Sequence, residues 1–260
     1  KIINLKNFKR SFKYFQNKKP FYHVICDDFF NPNFLEKFYK NFPDINQKNF
    51  WYEYNNALEQ KKTCNDWNKF NPLFYNLFNI LNSNEFTSLI SKFSGIKKIY
   101  SDPGLNGGGI HIYANKGKLN PHLDYDIHPK LNLKRKLNLI IYLNKNWKEE
   151  NGGLLGLWTH NKSKNICGNL YKEIKPKFNR AILFDVSSNC WHGLSKQFVA
   201  TKCKHRKSIA VYYLIKSKKK TARGKALFSL NANQQNDVKL KKLIKLRSKI
   251  SSAHKVYKQF

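Results

Sequence analysis

The spacing of apolar residues changes near residue 96 of this 260-residue chain, and this change limits the fold more than any other feature. Before it, aromatic and aliphatic side chains recur at helical spacing. After it, short apolar runs are separated by Gly and Asn, a pattern typical of β-strands and turns. We therefore predict a mainly β protein with flanking helices (α+β), helical over residues 20–95 and strand-rich over residues 96–215.

Three helices are predicted from start signals in the first part of the chain. An Asn-Pro pair supplies an N-cap residue followed by a proline at the first helical position, and serine also caps helices. The three predicted starts are Asn31-Pro32, Asn71-Pro72 and Ser83. We expect these helices to pack on the outside of one sheet. We interpret the glycine run over residues 107–109 as the entry into a strand.

Two histidines and one aspartate of the strand-rich region have the spacing of metal ligands. His122 and Asp124 lie two residues apart in an extended segment, so their side chains point to the same face. The His-x-Asp pair alone is a weak signal, because chance yields roughly 0.3 such matches in a chain of this composition. His192 follows a predicted buried strand over residues 180–186. Two imidazoles and one carboxylate that leave three positions open are typical of non-haem Fe(II) oxygenases.

Arg206 is predicted to bind a carboxylate. Only 6 of the 49 basic residues are arginines, and a guanidinium group binds a carboxylate through two hydrogen bonds without losing its charge. Arg206 precedes a predicted strand over residues 207–214, and Ser208 on the same face could add a hydroxyl donor. A 2-oxoglutarate co-substrate chelates iron through its keto acid end and has a distal carboxylate of the kind that this arginine would bind.

Further motifs surround these residues in a fixed order. They are Tyr142-Leu-Asn-Lys-Asn-Trp147, Gly152-Gly-Leu154, Lys175-Pro-Lys-Phe-Asn-Arg180 with Phe184, and then His192 and Arg206. With these motifs the chain resembles, over residues 105–215, the catalytic domain of prolyl-hydroxylase-type Fe(II)/2-oxoglutarate dioxygenases. Weaker similarity to bacterial members of that group extends upstream, over residues 20–30 and 105–111.

This resemblance implies a double-stranded β-helix (jelly roll, cupin-like) core with N-terminal buttressing helices. The residues it implies for Fe(II) are His122, Asp124 and His192, and those for 2-oxoglutarate are Arg206, Tyr113 and Tyr142. The expected cofactors are Fe(II), 2-oxoglutarate and O2, with ascorbate as a supporting reductant. The expected reaction hydroxylates a C–H bond of a prolyl or other protein side chain and releases succinate and CO2.

Two other functions remain open from the residues alone. One is the oxidation of a nucleobase, a nucleotide-sugar or another small molecule, which a basic surface would favour. The other is a non-enzymatic, metal-containing, cupin-like module that binds nucleic acid, and it requires Arg206 and both tyrosines to be coincidental. Iron content, 2-oxoglutarate decarboxylation without substrate, and the salt dependence of nucleic-acid binding distinguish the three.

The net charge of +33 is concentrated at the two ends of the sequence. Residues 1–19 hold 7 basic and no acidic residues, and residues 216–260 hold 14 basic residues and 1 acidic residue. We therefore divide the chain into a basic N-terminal segment (1–19), a dioxygenase domain (20–215) and a basic tail (216–260), with a linker at residues 218–220. Residues 240–250 indicate a basic C-terminal helix that packs on a membrane, on nucleic acid or on its own domain. The basic ends favour the ribosome, RNA or another acidic partner.

The sequence carries no signal for secretion or for a membrane span. No stretch approaches the ~20 apolar residues that cross a bilayer, and no charged-then-apolar signal segment is visible. The five cysteines form no Cys-x-x-Cys pair, and their odd number argues against a disulfide framework. We therefore expect a soluble, cytoplasmic protein, in a reducing environment that favours ferrous iron.

Overall fold

Two antiparallel sheets and five helices make up the described part of the chain, which comprises residues 1–17, 19–216 and 225–249 of a computed structural model. The helices are α1 (Leu5–Ser11), α2 (Pro32–Lys40), α3 (Pro72–Asn82), α4 (Asn84–Ser94) and α5 (Val238–Lys249). The strands are β1 (His23–Cys26), β2 (Tyr52–Asn55), β3 (Glu59–Cys64), β4 (Tyr100–Ser101), β5 (Gly109–Tyr113), β6 (Lys118–Leu119), β7 (His122–Leu123), β8 (Lys134–Tyr142), β9 (Leu155–Asn161), β10 (Ile166–Ile174), β11 (Ala181–Asp185), β12 (Trp191–Leu194), β13 (Arg206–Ile215) and β14 (Leu227–Phe228). The prediction of a mainly β protein with flanking helices is confirmed.

The two sheets pack against each other as the layers of a jelly roll. The larger sheet has nine described strands, in the order β1-β11-β8-β13-β5-β3-β2, with β4 beside β13 and β6 beside β3. The smaller sheet has five described strands, in the order β10-β9-β12-β7-β14. Apolar side chains of both sheets meet in one buried cluster, in which Leu155 and Leu157 come from the smaller sheet and Tyr142 and Phe184 from the larger. The jelly roll that the resemblance implied is therefore present.

The three predicted helix starts are confirmed by α2, α3 and α4. The Asn71 side chain accepts a hydrogen bond from the Phe74 amide at 3.0 Å, and the Ser83 hydroxyl accepts one from the Phe86 amide at 3.1 Å. Asn31 stands at the N-cap of α2 without a side-chain capping bond, so the proline that follows it is the stronger start signal there.

The prediction that residues 20–95 are helical is wrong for three segments. Strands β1, β2 and β3 lie in this range and belong to the larger sheet. Strand β3 has the sequence Glu-Gln-Lys-Lys-Thr-Cys, which lacks the apolar alternation that marks a half-buried strand. Its side chains at positions 59, 61 and 63 face a polar cavity instead of an apolar core. The division of the chain at residues 19 and 215 stays a prediction, and residues 218–220 and 250 lie outside the described residues.

Helices α1 to α4 cover the outer face of the larger sheet. The Tyr213 hydroxyl on β13 donates a hydrogen bond to the Leu81 carbonyl at 2.9 Å, and its ring lies 6.3 Å from that of Phe86 on α4. Helix α1 joins the same core through Phe8, which is fully buried and contacts four phenylalanine rings at 5.1 to 6.2 Å. The basic N-terminal segment therefore contributes aromatic side chains to the core as well as charge to the surface.

Replacing Phe8 with alanine is expected to lower the free energy of unfolding by about 3–5 kcal/mol, because a buried aromatic ring is lost from a packed core. Chemical denaturation of the purified protein measures this change. Tyr52→Ala is the matched control, since Tyr52 is 65% exposed and its loss should change the free energy by about 1 kcal/mol at most. Equal effects of the two substitutions would show that α1 is not part of the core.

A glycine run lets three strands of the larger sheet approach closely. Strand β5 begins at Gly109, which confirms the interpretation of residues 107–109 as a strand entry. Gly109 has φ of +93°, and a Cβ atom there would collide with the Cys64 carbonyl on β3. A Cβ atom on Gly108 would lie 2.6 Å from the Ala210 carbonyl on β13. Larger residues at these positions would separate strands that carry the side chains of the cavity.

The C-terminal segment adds an edge strand and a helix to the smaller sheet. Strand β14 pairs with β7, and α5 buries Leu243 in a cluster with Leu58 and Phe228. The lysines of α5 that are exposed are Lys239, Lys241, Lys242 and Lys245. Of the three alternatives for this helix, the structure therefore shows packing on its own domain, with a basic face turned outward. No described helix, α5 included, has the length and apolar character needed to cross a membrane.

None of the five cysteines forms a disulfide bond in the structure. Cys26, Cys64, Cys190 and Cys203 are buried, and Cys167 is partly buried. Burial raises the pKa of Cys26 and of Cys167 to about 12. These two thiols therefore stay protonated at neutral pH and behave as small, largely apolar side chains.

Candidate metal and co-substrate site

His122 and His192 face each other across neighbouring strands of the smaller sheet. They form a register pair between β7 and β12, and their ring centroids lie 4.4 Å apart. The Nδ1 atom of each ring lies 3.0 Å from a backbone carbonyl, that of Asn120 for His122 and that of Cys190 for His192. Because a carbonyl oxygen only accepts, each Nδ1 carries the proton and donates it. Each Nε2 is thereby left with a lone pair for a metal ion.

Asp124 completes the group directly after β7. Its carboxylate oxygens lie 3.7 Å from Nε2 of His122 and 3.5 Å from Nε2 of His192. Burial raises the pKa of Asp124, but the facing histidines, Arg135 and a tyrosine hydroxyl outweigh it, so that the pKa lies below its usual value. Burial lowers the pKa of His122 to about 3. At neutral pH His122 is therefore neutral and the carboxyl ionised, the protonation states that metal ligands need.

The three side chains fit a ferrous ion. Their ligand atoms all lie within 4.8 Å of one another, and all three side chains are buried. Imidazole nitrogens together with one carboxylate oxygen suit iron and leave coordination positions open for other ligands. The structure thus brings together the three residues that the sequence predicted as metal ligands.

Tyr212 and Arg135 contact the carboxylate of Asp124. The Tyr212 hydroxyl donates a hydrogen bond to Asp124 Oδ2 at 3.1 Å, and Arg135 Nη1 lies 3.9 Å from Oδ1. Arg135 is 1% exposed and lies between the rings of Tyr125 and Tyr212, at 3.7 and 3.8 Å. These contacts fix the carboxylate in the orientation that faces the two histidines.

Both supporting residues were missed in the sequence, although each had a detectable signal. The alternation that puts Arg206 and Ser208 on one face of β13 continues to Tyr212, which therefore points into the same cavity. Arg135 is, like Arg206, one of only 6 arginines in the chain. What the sequence did not contain is the distance from either residue to Asp124.

Arg206 lies at the other end of the same cavity. Its side chain is 3% exposed, Nε donates a hydrogen bond to the Gly153 carbonyl at 2.7 Å, and Nη2 donates one to the Tyr142 hydroxyl at 3.2 Å. Nη1 makes no hydrogen bond to any described residue and is left for a ligand. Gly153, with φ of +65°, leaves room for this side chain, since a Cβ atom there would lie 3.0 Å from Arg206 Cδ.

The two predicted tyrosines flank the guanidinium group. The rings of Tyr113 and Tyr142 each lie 4.9 Å from Arg206 Cζ, and both side chains are buried. Ser208, which was an open alternative, also lines the cavity and is paired in register with Tyr142. The guanidinium group is therefore flanked by two tyrosine rings, and the Ser208 side chain lines the same cavity.

The metal-ligand group and Arg206 line one cavity of about 300 Å³. One wall comes from the C-terminal segment, which contributes Lys225, Phe228 and Arg247. Phe228 is paired in register with His122 and stacks on its ring, with centroids 5.5 Å apart and planes inclined by 28°. This wall could not be found in the sequence, because Phe228 is separated from His122 by most of the jelly roll.

The pH dependence of stability is expected to depend on His111, which lines the cavity. Desolvation and, to a smaller extent, the nearby Lys61 lower its pKa from 6.5 to about 3. In this pH range the unfolded chain therefore binds a proton at His111 that the folded chain does not bind. The free energy of unfolding should thus fall as the pH drops from about 6.5 towards 3. His111→Gln should reduce the slope by up to one proton, about 1.4 kcal/mol per pH unit. Denaturation curves at several pH values measure this, and parallel profiles would contradict it.

Comparisons with known proteins agree with this geometry. Residues 108–214 match the model of the 2OG-Fe(II) oxygenase superfamily. This range contains His122, Asp124, His192 and Arg206. Members of the family use Fe(II), 2-oxoglutarate and O2, and the residues of the cavity fit these groups.

Solved structures of prolyl hydroxylases share the fold. A prolyl-4-hydroxylase from Pseudomonas putida superimposes with a TM-score of 0.57 at 10% identity, over 80% of this chain and 99% of that chain. A prolyl hydroxylase from Trichoplax adhaerens, solved with a hypoxia inducible factor peptide fragment, gives 0.56 at 17% identity, over 81% and 91%. A prolyl 4-hydroxylase from Phytophthora capsici gives 0.52 at 18% identity, over 92% and 72%. The chain thus contains a region, residues 108–214, that matches the 2OG-Fe(II) oxygenase superfamily, in a fold that it shares with prolyl hydroxylases.

Proposed function

We propose that this oxygenase is a hydroxylase of a prolyl or other side chain in a protein. The observation that carries the proposal is the arrangement of one cavity, in which a buried group of two histidines and an aspartate faces a buried arginine. The first group fits Fe(II), and the arginine fits the distal carboxylate of 2-oxoglutarate. A binding module would need only one of these two features.

In this proposal each residue of the cavity has a defined task. His122 and His192 bind the metal through Nε2, and Asp124 binds it through its carboxylate. Arg206 binds the distal carboxylate of 2-oxoglutarate, and the hydroxyl groups of Tyr113 and Tyr142 orient it. Bound Fe(II) and 2-oxoglutarate supply the activation of O2, in which one oxygen atom ends in succinate after loss of CO2 and the other in the new hydroxyl group of the substrate.

A protein substrate is supported by the kind of proteins that share the fold. The Trichoplax adhaerens enzyme was solved with a peptide fragment, and the other two are prolyl 4-hydroxylases. A second candidate is the oxidation of a nucleotide or nucleotide-sugar, which Lys225 and Arg247 at the cavity wall favour by their charge. The exposed basic face of α5 supports contact with an acidic partner, such as the ribosome or RNA, near the site.

The proposal is tested first without any substrate. Purified protein supplied with Fe(II), 2-oxoglutarate and air should form succinate slowly, and the anaerobic complex should show a metal-to-ligand charge-transfer absorption. Mass spectrometry of cellular protein and RNA should then find a gain of one oxygen atom that is lost when the gene is deleted. Absence of both succinate and the absorption would overturn the enzymatic function, and an oxidised RNA with unmodified protein would favour the second candidate.

A further inference from the structure

Basic side chains outnumber acidic ones around the cavity. Among the described residues that line it, the basic ones are Lys61, Arg135, Arg206, Lys225 and Arg247, and the acidic ones are Glu59 and Asp124. A ferrous ion and 2-oxoglutarate carry equal and opposite charges, so binding both leaves this excess of positive charge unchanged. Charged residues of one sign in a cleft attract ligands of the opposite sign. The loaded cavity therefore favours a substrate with a negative charge.

Lys61 is a second cation of the cavity, separate from Arg206, which is proposed to bind the distal carboxylate of 2-oxoglutarate. Thr63 on β3 pairs with His111 on β5, so Lys61, two residues earlier, lies beside Tyr113 on the same face. Tyr113 in turn pairs with Arg206 on β13. Neighbouring strands are about 4.8 Å apart, so the backbones of Lys61 and Arg206 are about 10 Å apart. The two cations therefore reach the cavity from separate strands, with the strand of Tyr113 between them.

Lys61 has one buried anionic neighbour, Glu59, but makes no hydrogen bond to it. Its side chain is 13% exposed, and Nζ lies 3.7 Å from Glu59 Oε2, beyond the length of a hydrogen bond. Nζ also lies 5.0 Å from the ring centroid of Tyr54, which covers it from the neighbouring strand. Burial lowers the pKa of Lys61, but Tyr113 and Glu59 outweigh this effect, so the ammonium group stays charged. Because Nζ makes no hydrogen bond to any described residue, its N–H groups can still donate to a ligand.

The size of the cavity favours a side chain over a nucleotide. Its volume of about 300 Å³ lies at the lower end of the ~300–1,000 Å³ found for ligand pockets. The 2-oxoglutarate proposed to bind at Arg206 would take up part of this volume, so the remaining space suits an amino-acid side chain better than a base with its sugar and phosphate. Lys61 and the C-terminal wall line the same cavity.

We propose that the substrate is an acidic peptide segment, in which an Asp or Glu beside the hydroxylated residue binds Lys61 through its carboxylate. This inference rests on the proposed function and narrows its substrate. It assigns Lys61 as a specificity-determining residue that contacts the substrate and neither the metal nor 2-oxoglutarate.

The test measures peptide binding to the protein loaded with Mn(II) and 2-oxoglutarate, a complex that does not turn over. Three labelled peptides are identical except that the central proline is flanked by Asp, by Asn or by Lys. Fluorescence anisotropy should show that the Asp peptide binds about tenfold tighter than the Asn peptide, the effect of one hydrogen bond to a charged group. The Lys peptide should bind weakest.

Two variants on β3 show whether this preference comes from Lys61. Lys61→Glu should reverse the order, so that the Lys peptide binds tightest, and Lys61→Gln should remove the difference between the Asp and Asn peptides. Lys62→Glu is the matched control, because Lys62 faces away from the cavity and its Nζ donates to the Ile45 carbonyl at 3.3 Å. This control should keep the order of the wild type.

The outcomes separate this inference from the proposed function. Equal binding of the three peptides, no binding of any of them, or an unchanged order in Lys61→Gln would overturn the role of Lys61. Binding of a single-stranded oligonucleotide in place of the peptides would overturn the peptide substrate. If the wild-type protein forms succinate from 2-oxoglutarate in these cases, the proposed function still stands. If it does not form succinate, the proposed function and the role of Lys61 are both overturned.

Discussion

Replacing Asp124 with alanine is expected to weaken the binding of Fe(II) by more than about 100-fold and to abolish the formation of succinate. Loss of a residue that only supports a metal ligand already costs 10–100-fold in affinity or activity, and Asp124 provides the carboxylate of the group itself. The substitution also leaves Arg135 beside two histidines without the anion that separates them. Titration with Mn(II), followed by a succinate assay under air with Fe(II), measures both effects.

Two further variants define what this result means. Asp124→Glu keeps a carboxylate but moves it by one methylene group, so it should retain weak metal binding and little turnover. Asp126→Asn is the matched control, because Asp126 lies two residues away and is not part of the group of ligands. Undiminished succinate formation in Asp124→Ala would exclude the three residues as the metal site.

Sequence patterns were sufficient to select the three candidate metal ligands and Arg206. His122 and Asp124 were placed on one face by their spacing, and Arg206 was recognised because arginine is rare in this sequence. The pairing of His122 with His192 could not be predicted, because a register between strands 70 residues apart depends on the whole sheet. Sequence patterns therefore identified the chemical groups but not the contacts between them.

The polar strand β3 and the C-terminal wall show why the rest was missed. Periodicity detects strands whose inner face is apolar, and the inner face of β3 carries Glu59, Lys61 and Thr63 because it borders a cavity. Strand β14 has only two residues, and its partner β7 lies more than 100 residues earlier in the sequence. The cavity residues that were missed are thus ones that break the pattern of a folded core.

Replacing Arg206 with alanine is expected to raise the dissociation constant for 2-oxoglutarate by about 30-fold or more. Truncating one partner of a buried, hydrogen-bonded charge pair costs about 2–5 kcal/mol, and every 1.4 kcal/mol is a factor of about ten. The effect should be large because Arg206 is 3% exposed, so water does not replace it easily. Titration of the Mn(II)-loaded protein with 2-oxoglutarate measures the change directly, without turnover.

The lysine variant separates the charge of Arg206 from its geometry. Arg206→Lys keeps the positive charge, but it loses the planar group that bonds the Gly153 carbonyl and the Tyr142 hydroxyl while leaving Nη1 for a ligand. We therefore expect an affinity of Arg206→Lys for 2-oxoglutarate between those of the wild type and Arg206→Ala. Mn(II) binding should be unchanged in both variants, because the candidate metal ligands lie on β7, on β12 and directly after β7. Arg180→Ala removes an arginine that is bonded to Asp27 and does not line the cavity, and it serves as the matched control. An unchanged 2-oxoglutarate affinity in Arg206→Ala would show that another cation of the cavity binds the co-substrate. Lys61 would then be the first residue to substitute.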